Sequence, residues 1–432
     1  MIKRVLTIFG LTMVMSAFVF PISFTFLPQA VNSKILVGVF GIIMLVLDSI
    51  RQHGMTFSQH TLFAGLFAAI FSVWCLYSVT ASNTYDMIYA DYIVSFATWM
   101  VSAYGACAAI RIVYGKADLE LLTRYLVLTG VFQCITAVMI DNNAAFSNFV
   151  DRFMDQGQDF YKFGNRLYGI GAALDPAGIR FSVILIMAAH LFTANPNVRA
   201  NSIFQATLLV GYAIITIIGA VISRTTIIGA SLGLIYIIIA LFRMRKGGFV
   251  TTRMIQIFFW FFIIMSGIIG AAIYFYRSSN TFQEYLRFGF EAFFNWVETG
   301  DFTTGSTEVL ETMWVWPEDL HTWIFGRGTF GVFDNDTDIG YCNFTLYCGL
   351  VGMVLFSIYF LYCHIVQTKK FREFGITAIL LIILTFVVWI KVTSDIFFVD
   401  ALLFCIIGDY DEELELAGNA ENLLPDDIGI RK

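Results

Sequence analysis

Long apolar runs dominate this chain, and polar residues collect in the stretches between them. Twelve runs are near the roughly 20 residues that a helix needs to cross a bilayer. They fall at about 5 to 27, 34 to 50, 61 to 80, 92 to 110, 121 to 140, 179 to 194, 203 to 222, 225 to 242, 254 to 276, 341 to 363, 374 to 390 and 395 to 408. They lack the period-2 alternation of a membrane β-barrel strand. The pattern predicts an all-α, polytopic membrane helix bundle of about twelve transmembrane helices, the last being the least clear.

The composition agrees with a chain surrounded by lipid. Hydrophobic residues make up 58% of the 432 positions and charged residues 13%, whereas soluble domains carry roughly 25% charged residues. The net charge of −6 comes largely from an acidic C-terminal segment, so it says little about partners, and we expect no nucleic-acid partner. We predict a single transmembrane domain over residues 1 to 408 and a solvated, cytoplasmic acidic tail over residues 409 to 432.

The distribution of basic residues predicts the orientation of the bundle. If the N-terminus is cytoplasmic, the inner segments hold 16 of the 26 lysines and arginines, which satisfies the positive-inside rule. Both termini are then cytoplasmic in a bacterial inner membrane, and two long loops, residues 141 to 178 and 277 to 340, face the periplasm. Long loops are usually functional or disordered. The second opens with an amphipathic pattern on which Arg287 is spaced to pair with Glu284 or Glu291.

Arg224 is the most informative single residue, because it stands between two apolar runs with almost no loop around it. A guanidinium there costs about 2.5 to 3.5 kcal/mol at mid-membrane depth, and less near an interface. One interpretation is an arginine that snorkels to the headgroups or pairs with a carboxylate. The other is an anion site at the outer leaflet, where arginine grips phosphate oxygens with two parallel hydrogen bonds.

Further cations belong to the same outer side. Arg166 and Arg180 bracket the end of the first long loop, Arg327 lies in the second, and Lys391 is near the outer end of a late span. Topology requires basic residues at the cytoplasmic face but not at the outer face. These side chains therefore indicate an anionic ligand such as a lipid-linked pyrophosphate.

Two residues of the second loop are candidates for acid–base chemistry. Asp338 just precedes a span, where a partly desolvated carboxylate is able to take a proton from an attacking hydroxyl; its alternative role is to cap the following helix. His321 is the only histidine of the outer segments and is either a base or an ordinary surface residue. The alternating aspartates before Asp338 lack the terminal glutamate of a calcium loop, so we expect no metal.

Together these segments resemble the O-antigen and capsular polysaccharide polymerases, the Wzy-type glycosyltransferases. The similarity covers roughly residues 1 to 408 and lies in the two enlarged loops and in three segments. These are Ser-Arg-Thr-Thr-Ile-Ile-Gly at 223 to 229, Arg-Leu-Tyr-Gly at 166 to 169, and Phe-Gly-Arg-Gly followed by Asp-Ile-Gly-Tyr within 325 to 341. The family's Arg-x15-Gly motif does not fit, because Ser182 and Asn343 stand at the glycine positions.

The resemblance implies an inverting, metal-independent enzyme of the GT-C type that uses no cofactor. Its donor would be a glycan on undecaprenyl pyrophosphate, and its acceptor another undecaprenyl-pyrophosphate-linked oligosaccharide. A chain-length regulator and a flippase would be its partners, besides membrane lipid. A general anion-binding role is carried over to Arg166, Arg180, Arg224 and Arg327, and the acceptor side to Asp338, then His321.

Two other functions compete with polymerisation. The related O-antigen ligases share the architecture, transfer finished glycan to the lipid A core and rely on a histidine of the periplasmic loop. A twelve-helix transporter or flippase is the alternative of a different class, but transporters are usually built from repeated halves with polar sites at mid-membrane. Here the halves do not match, and the polar residues gather in the outer loops.

Overall fold

The computed structural model describes residues 2–28, 30–52, 57–163, 166–195, 198, 201–243, 252–371 and 373–407. The acidic tail, predicted over residues 409 to 432, lies outside the described residues. The elements in chain order are α1 (Ile2–Val19), β1 (Ser23–Phe24), α2 (Ser33–Gln52), α3 (Gln59–Ala81), α4 (Tyr92–Tyr114), α5 (Leu119–Asn142), α6 (Ala144–Phe153), β2 (Met154–Asp155), α7 (Gln158–Phe163), α8 (Leu174–Ala194), α9 (Ser202–Ile222), α10 (Thr226–Arg243), α11 (Thr252–Ser278), α12 (Asn280–Gly289), α13 (Glu291–Thr299), α14 (Gly305–Glu311), α15 (Leu320–Phe325), α16 (Val332–Asn335), α17 (Gly340–Lys370), α18 (Gly375–Val388) and α19 (Phe397–Ile407).

The long helices coincide with the apolar runs of the sequence. In the described part of the chain, eight helices are long and apolar enough to cross a membrane, namely α1 to α5, α8, α9 and α17. Three shorter apolar helices, within α10, α18 and α19, follow the same pattern. The prediction of an all-α polytopic bundle is therefore confirmed, whereas the count of twelve crossings stays a prediction.

Local sequence signals set where several spans begin and end. The side chains of Ser58, Asp118 and Asn201 accept hydrogen bonds from backbone N–H groups in the first turns of α3, α5 and α9. Gly115 ends α4 in the left-handed conformation, which glycine adopts without steric cost. These caps satisfy backbone groups that a helix end leaves without intrahelical partners.

Small residues allow the closest helix pairs to touch through their backbones. A methyl group added at Gly41 of α2 would overlap the carbonyl oxygen of Val101 in α4, and one at Gly229 of α10 would overlap the backbone of Ser182 in α8. Ser182 Oγ also donates to the carbonyl oxygen of Thr225 at 2.9 Å. Such packing is typical of membrane helices, which associate without a hydrophobic driving force between them.

Helix α8 lies at the centre of the bundle, since 89% of its most apolar window is buried. A cluster of aromatic rings, in contact with one another, fills the space between α3, α4 and α17; it comprises Phe71, Tyr89, Tyr92, Phe344, Phe356, Tyr359 and Trp389. Helix α17 is kinked at Gly349, where φ is 67°. The backbone of Ile324, in α15, approaches this glycine so closely that a side chain would collide with it.

The two long loops contain helices of their own. The first holds α6 and α7, and its β2 pairs antiparallel with β1 from the loop after α1. In the second, the amphipathic pattern forms α12 and α13, which are separated at Phe290. The predicted pairing along one helix face is wrong, because Arg287 contacts Glu298 at 2.7 Å. The non-helical backbone at Phe290 interrupts the helix between Arg287 and Glu291, so these two residues are no longer neighbours on one helix face.

Gly41→Ala is expected to destabilise the bundle, although alanine is the better helix former. The new methyl group must separate α2 from α4, and overpacking of this kind costs typically 1 to 3 kcal/mol. Gly10→Ala in α1 is the matched control, since nothing lies within 4 Å of a methyl group there. Thermal unfolding of the two variants in detergent measures the difference; equal midpoints would show that the contact between α2 and α4 is looser than described.

Candidate functional site

A cavity of about 680 Å³ lies where the ends of several helices meet both long loops. Its floor comes from the start of α8, from the turn between α9 and α10, and from the segment between α18 and α19. Helices α12 to α14 of the second loop cover one side. Six charged residues line it: Arg166, Asp175, Arg224, Glu291, Asp338 and Lys391.

Arg224 connects the bundle to the second loop. Its Nη2 lies 2.5 Å from Glu291 Oε2, its Nη1 donates to Ser306 Oγ at 2.7 Å, and its Nε donates to the carbonyl oxygen of Phe288 at 2.9 Å. The guanidinium also lies over the Phe288 ring, 4.2 Å from its centroid. Partial burial lowers the pKa of Arg224, and the neighbouring Glu291 opposes that shift. The pairing with a carboxylate, one of the two interpretations drawn from the sequence, is thus present.

A second ion pair crosses the floor of the cavity. Lys391 Nζ donates to Asp175 Oδ1 at 2.7 Å, and the same oxygen accepts from Thr225 Oγ1 at 2.7 Å and from Ser223 Oγ at 3.2 Å. Asp175 therefore joins α8, the turn before α10 and the segment after α18. Asp175 is not identifiable from the sequence, because its only local signal is an acidic residue in the first turn of a helix and its partner Lys391 is 216 positions away.

Arg166 and Asp338 are the two charges of the cavity that remain unpaired within the described part of the chain. Both side chains are exposed at the cavity wall. The Arg166 guanidinium carbon lies 5.9 Å from the centroid of the Phe160 ring. Asp338 does not cap α17: the N-cap residue is Ile339, and no side chain makes a capping hydrogen bond there. The capping alternative for Asp338 is thus wrong, which leaves its carboxylate free.

Arg180 does not line this cavity. It lies within α8 near Lys34 of α2 and Asp395, which precedes α19. Asp395 Oδ2 accepts from Tyr92 Oη at 3.1 Å, and Lys34 Nζ lies 4.1 Å from the centroid of the Trp99 ring. Lys34 and Arg180 thus lie within electrostatic range of one carboxylate, at a position separate from the cavity.

Arg327 and His321 lie elsewhere in the second loop. The Arg327 guanidinium donates to Asn335 Oδ1 at 2.7 Å and to Thr329 Oγ1 at 3.2 Å, so this side chain helps to fix the conformation of the loop before α17. His321 is exposed and stacks on Phe325, with ring centroids 5.0 Å apart. Neither residue is part of the cavity wall.

Of the six residues singled out from the sequence, the fold brings Arg166, Arg224 and Asp338 into one cavity and places the other three outside it. Among the described residues, no group of three or more histidine, cysteine, aspartate or glutamate side chains is arranged to hold a metal ion. Within the described residues, the cavity offers two ion-paired cations, one cation without a partner and one carboxylate without a partner. Such a set is able to bind an anion and to accept a proton at a second point.

No known family model matches the sequence, and no curated protein is similar to it.

Arg224→Gln is expected to release α13 and α14 from the bundle, because it removes the ion pair to Glu291 and the hydrogen bonds to the loop. Hydrogen–deuterium exchange in detergent should rise at least several-fold over residues 288 to 311. Arg287→Gln is the control, since it breaks an arginine–glutamate pair of the same loop that is solvent-exposed and therefore weak. Similar exchange in both variants would mean that Arg224 does not anchor the loop.

Proposed function

We propose that this protein is a polysaccharide repeat-unit polymerase, an inverting and metal-independent glycosyltransferase of the GT-C type. It transfers glycan from undecaprenyl pyrophosphate to the non-reducing end of another lipid-linked repeat unit. The observation that carries the proposal is the pair of unpaired charges, Arg166 and Asp338, in a cavity at one end of a membrane bundle. In the proposed setting all twelve apolar helices cross the bacterial inner membrane, both termini are cytoplasmic and the cavity faces the periplasm.

The donor side of the reaction requires stabilisation of a departing diphosphate. When the bond between the anomeric carbon and the phosphate oxygen breaks, its electron pair stays on the diphosphate, and fixed cations stabilise that charge without a metal. Arg166 is free to bind it, and Arg224 and Lys391 add positive charge held in place by Glu291 and Asp175. A role for Arg180 and Arg327 in the same step stays a prediction, because both lie outside the cavity.

The acceptor side requires a base. As the hydroxyl oxygen of the acceptor sugar forms its bond to the anomeric carbon, Asp338 takes the hydroxyl proton. A single displacement of this kind inverts the anomeric centre and needs no covalent nucleophile. The free carboxylate at the cavity wall supports this role, since it has no hydrogen bond or ion pair with the described residues that would have to break first.

The size of the cavity and the helices that cover it, α12 to α14, fit an oligosaccharide substrate. Small-molecule sites typically occupy about 300 to 1,000 Å³, and this cavity of about 680 Å³ lies within that range. Helices α12 to α14 shield it on one side, where water would otherwise compete with the acceptor hydroxyl. The position of His321 outside the cavity favours the polymerase over a ligase that depends on a loop histidine. A flippase and a chain-length regulator are its proposed partners.

Asp338→Asn is expected to reduce transfer between purified lipid-linked repeat units by about 10² to 10⁴-fold, the usual contribution of a general base. Asp336→Asn is the matched control, because Asp336 is exposed, lies two residues away and has φ of 55°, a conformation that asparagine tolerates. Incorporation of labelled repeat units into polymer provides the measurement, and equal rates for the two variants would exclude Asp338 as the base.

The same variants expressed in a strain that lacks the chain separate the competing functions. Loss of a polymerase leaves a single repeat unit on the lipid A core, whereas loss of a ligase leaves none. If the protein is a transporter, the purified protein joins no repeat units at all.

Arg166→Gln is expected to lower kcat/KM for the lipid diphosphate donor by about 10² to 10³-fold, as removal of one charge-stabilising donor does in other enzymes. Arg152→Gln is the control, since Arg152 is an exposed arginine of the same loop that does not line the cavity. Steady-state kinetics with varied donor concentration give the values. An unchanged kcat/KM would place the diphosphate away from Arg166.

A further inference from the structure

A buried polar cluster lies between α17 and α19, away from the cavity of the candidate site. It consists of His364, Gln367 and Asp400, whose exposed fractions are 1%, 0% and 0%. His364 and Gln367 are three residues apart and therefore share one face of α17. Since α17 begins next to Asp338 and ends at Lys370, the cluster lies near the opposite end of that helix. Gln367 Nε2 donates to Asp400 Oδ1 at 2.7 Å, and His364 Nε2 lies 3.9 Å from the same oxygen.

One polar atom of each of these three side chains has no hydrogen-bond partner within the described residues. They are His364 Nε2, Gln367 Oε1 and Asp400 Oδ2. The other ring nitrogen of His364, Nδ1, lies 2.8 Å from the carbonyl oxygen of Phe360, which only accepts; Nδ1 therefore carries a hydrogen. In the neutral ring Nε2 is then a lone pair, so all three atoms are acceptors.

Asp400 is the one carboxylate that the structure shows as fully buried among the described residues. An isolated buried carboxylate is so costly that such groups bind a proton, pair with a cation or coordinate a metal ion. Among the described residues, the other titratable groups within electrostatic range are Cys363 and Tyr359 on α17 and Asp395 before α19. All three are neutral or negative, so within this part of the chain the positive charge has to come from a bound ion, either on His364 or beside Asp400.

We propose that His364, Gln367 and Asp400 form a binding site for one small monovalent cation, a proton or Na⁺. A proton would occupy His364 Nε2 or Asp400 Oδ2, whereas Na⁺ would take the oxygens of Asp400 and Gln367. His364 also forms part of the wall of a cavity of about 800 Å³ that is lined by Thr193, Lys369 and Glu373. This cavity gives ions a route to the cluster from the end of the bundle opposite the proposed glycosyl transfer.

Asp400→Asn is expected to make the stability of the full-length protein insensitive to the ion, because the neutral amide needs no counter-charge. Unfolding in detergent is followed by tryptophan fluorescence, with NaCl replaced by choline chloride at constant ionic strength and with pH varied from 5 to 8.5. If Na⁺ is the occupant, the wild-type midpoint rises with Na⁺ concentration, and it does not rise in the variant.

If a proton is the occupant, the folded state binds one more proton than the unfolded state over the range in which the site titrates. The wild-type protein then loses stability relative to Asp400→Asn as pH rises, with up to a tenfold change in the unfolding constant per pH unit, whatever the Na⁺ concentration. His190→Gln is the control for the Na⁺ response: His190 is buried and hydrogen-bonds Thr377 and Tyr236 without a carboxylate partner, so this variant keeps the wild-type response to Na⁺.

The proposal is overturned if the unfolding midpoint of the wild-type protein responds to Na⁺ concentration and to pH in the same way as the midpoint of Asp400→Asn. If Asp400→Asn cannot be purified, infrared difference spectra of the wild-type protein replace it. A carboxyl C=O band that is lost on raising the pH, or a carboxylate band that shifts on adding Na⁺, supports the site; spectra without either change contradict it.

Discussion

The ion pair between Arg224 and Glu291 connects the bundle to the helices that cover the cavity of the candidate site. Arg224 stands at the turn between two apolar helices, where a guanidinium without partners would be costly. Glu291, Ser306 and the carbonyl oxygen of Phe288 remove that cost together. The contacts of this single arginine therefore help to hold α12, α13 and α14 against the bundle.

The pairing pattern also decides which charges are left for chemistry. Arg224 and Lys391 each have a carboxylate partner, so their positions are held and their fields at the cavity are partly neutralised. Arg166 and Asp338 have no such partner among the described residues and remain available to a substrate. The paired cations thus provide a fixed framework. In the proposed reaction, the unpaired cation would stabilise the leaving-group charge and the unpaired carboxylate would take the acceptor proton.

A buried charge also needs a partner at the other end of α17, but there the described residues do not supply a cation. Asp175 in the cavity of the candidate site pairs with Lys391 and accepts from two hydroxyl groups, whereas Asp400 has the amide of Gln367 as its hydrogen-bond donor. A carboxylate near solvent tolerates incomplete pairing, but one with no exposed surface does not. Asp175 thus forms a structural ion pair in the cavity of the candidate site, whereas Asp400 belongs to the proposed ion-binding site.

The sequence by itself determined the helices and the loops. Apolar runs of bilayer length can satisfy their backbone only as helices, so α1 to α5, α8, α9 and α17 follow from composition along the chain, and the polar stretches between them mark the two long loops. The candidate site was only partly predictable: Arg224, Arg166 and Asp338 were identifiable as charges in unusual places. Only the tertiary structure decided that Arg224 pairs with Glu291, that Lys391 pairs with Asp175, and that Arg180, Arg327 and His321 lie outside the cavity. The physical reason is that an apolar run fixes local hydrogen bonding, whereas the partner of a charge depends on how helices distant in sequence pack.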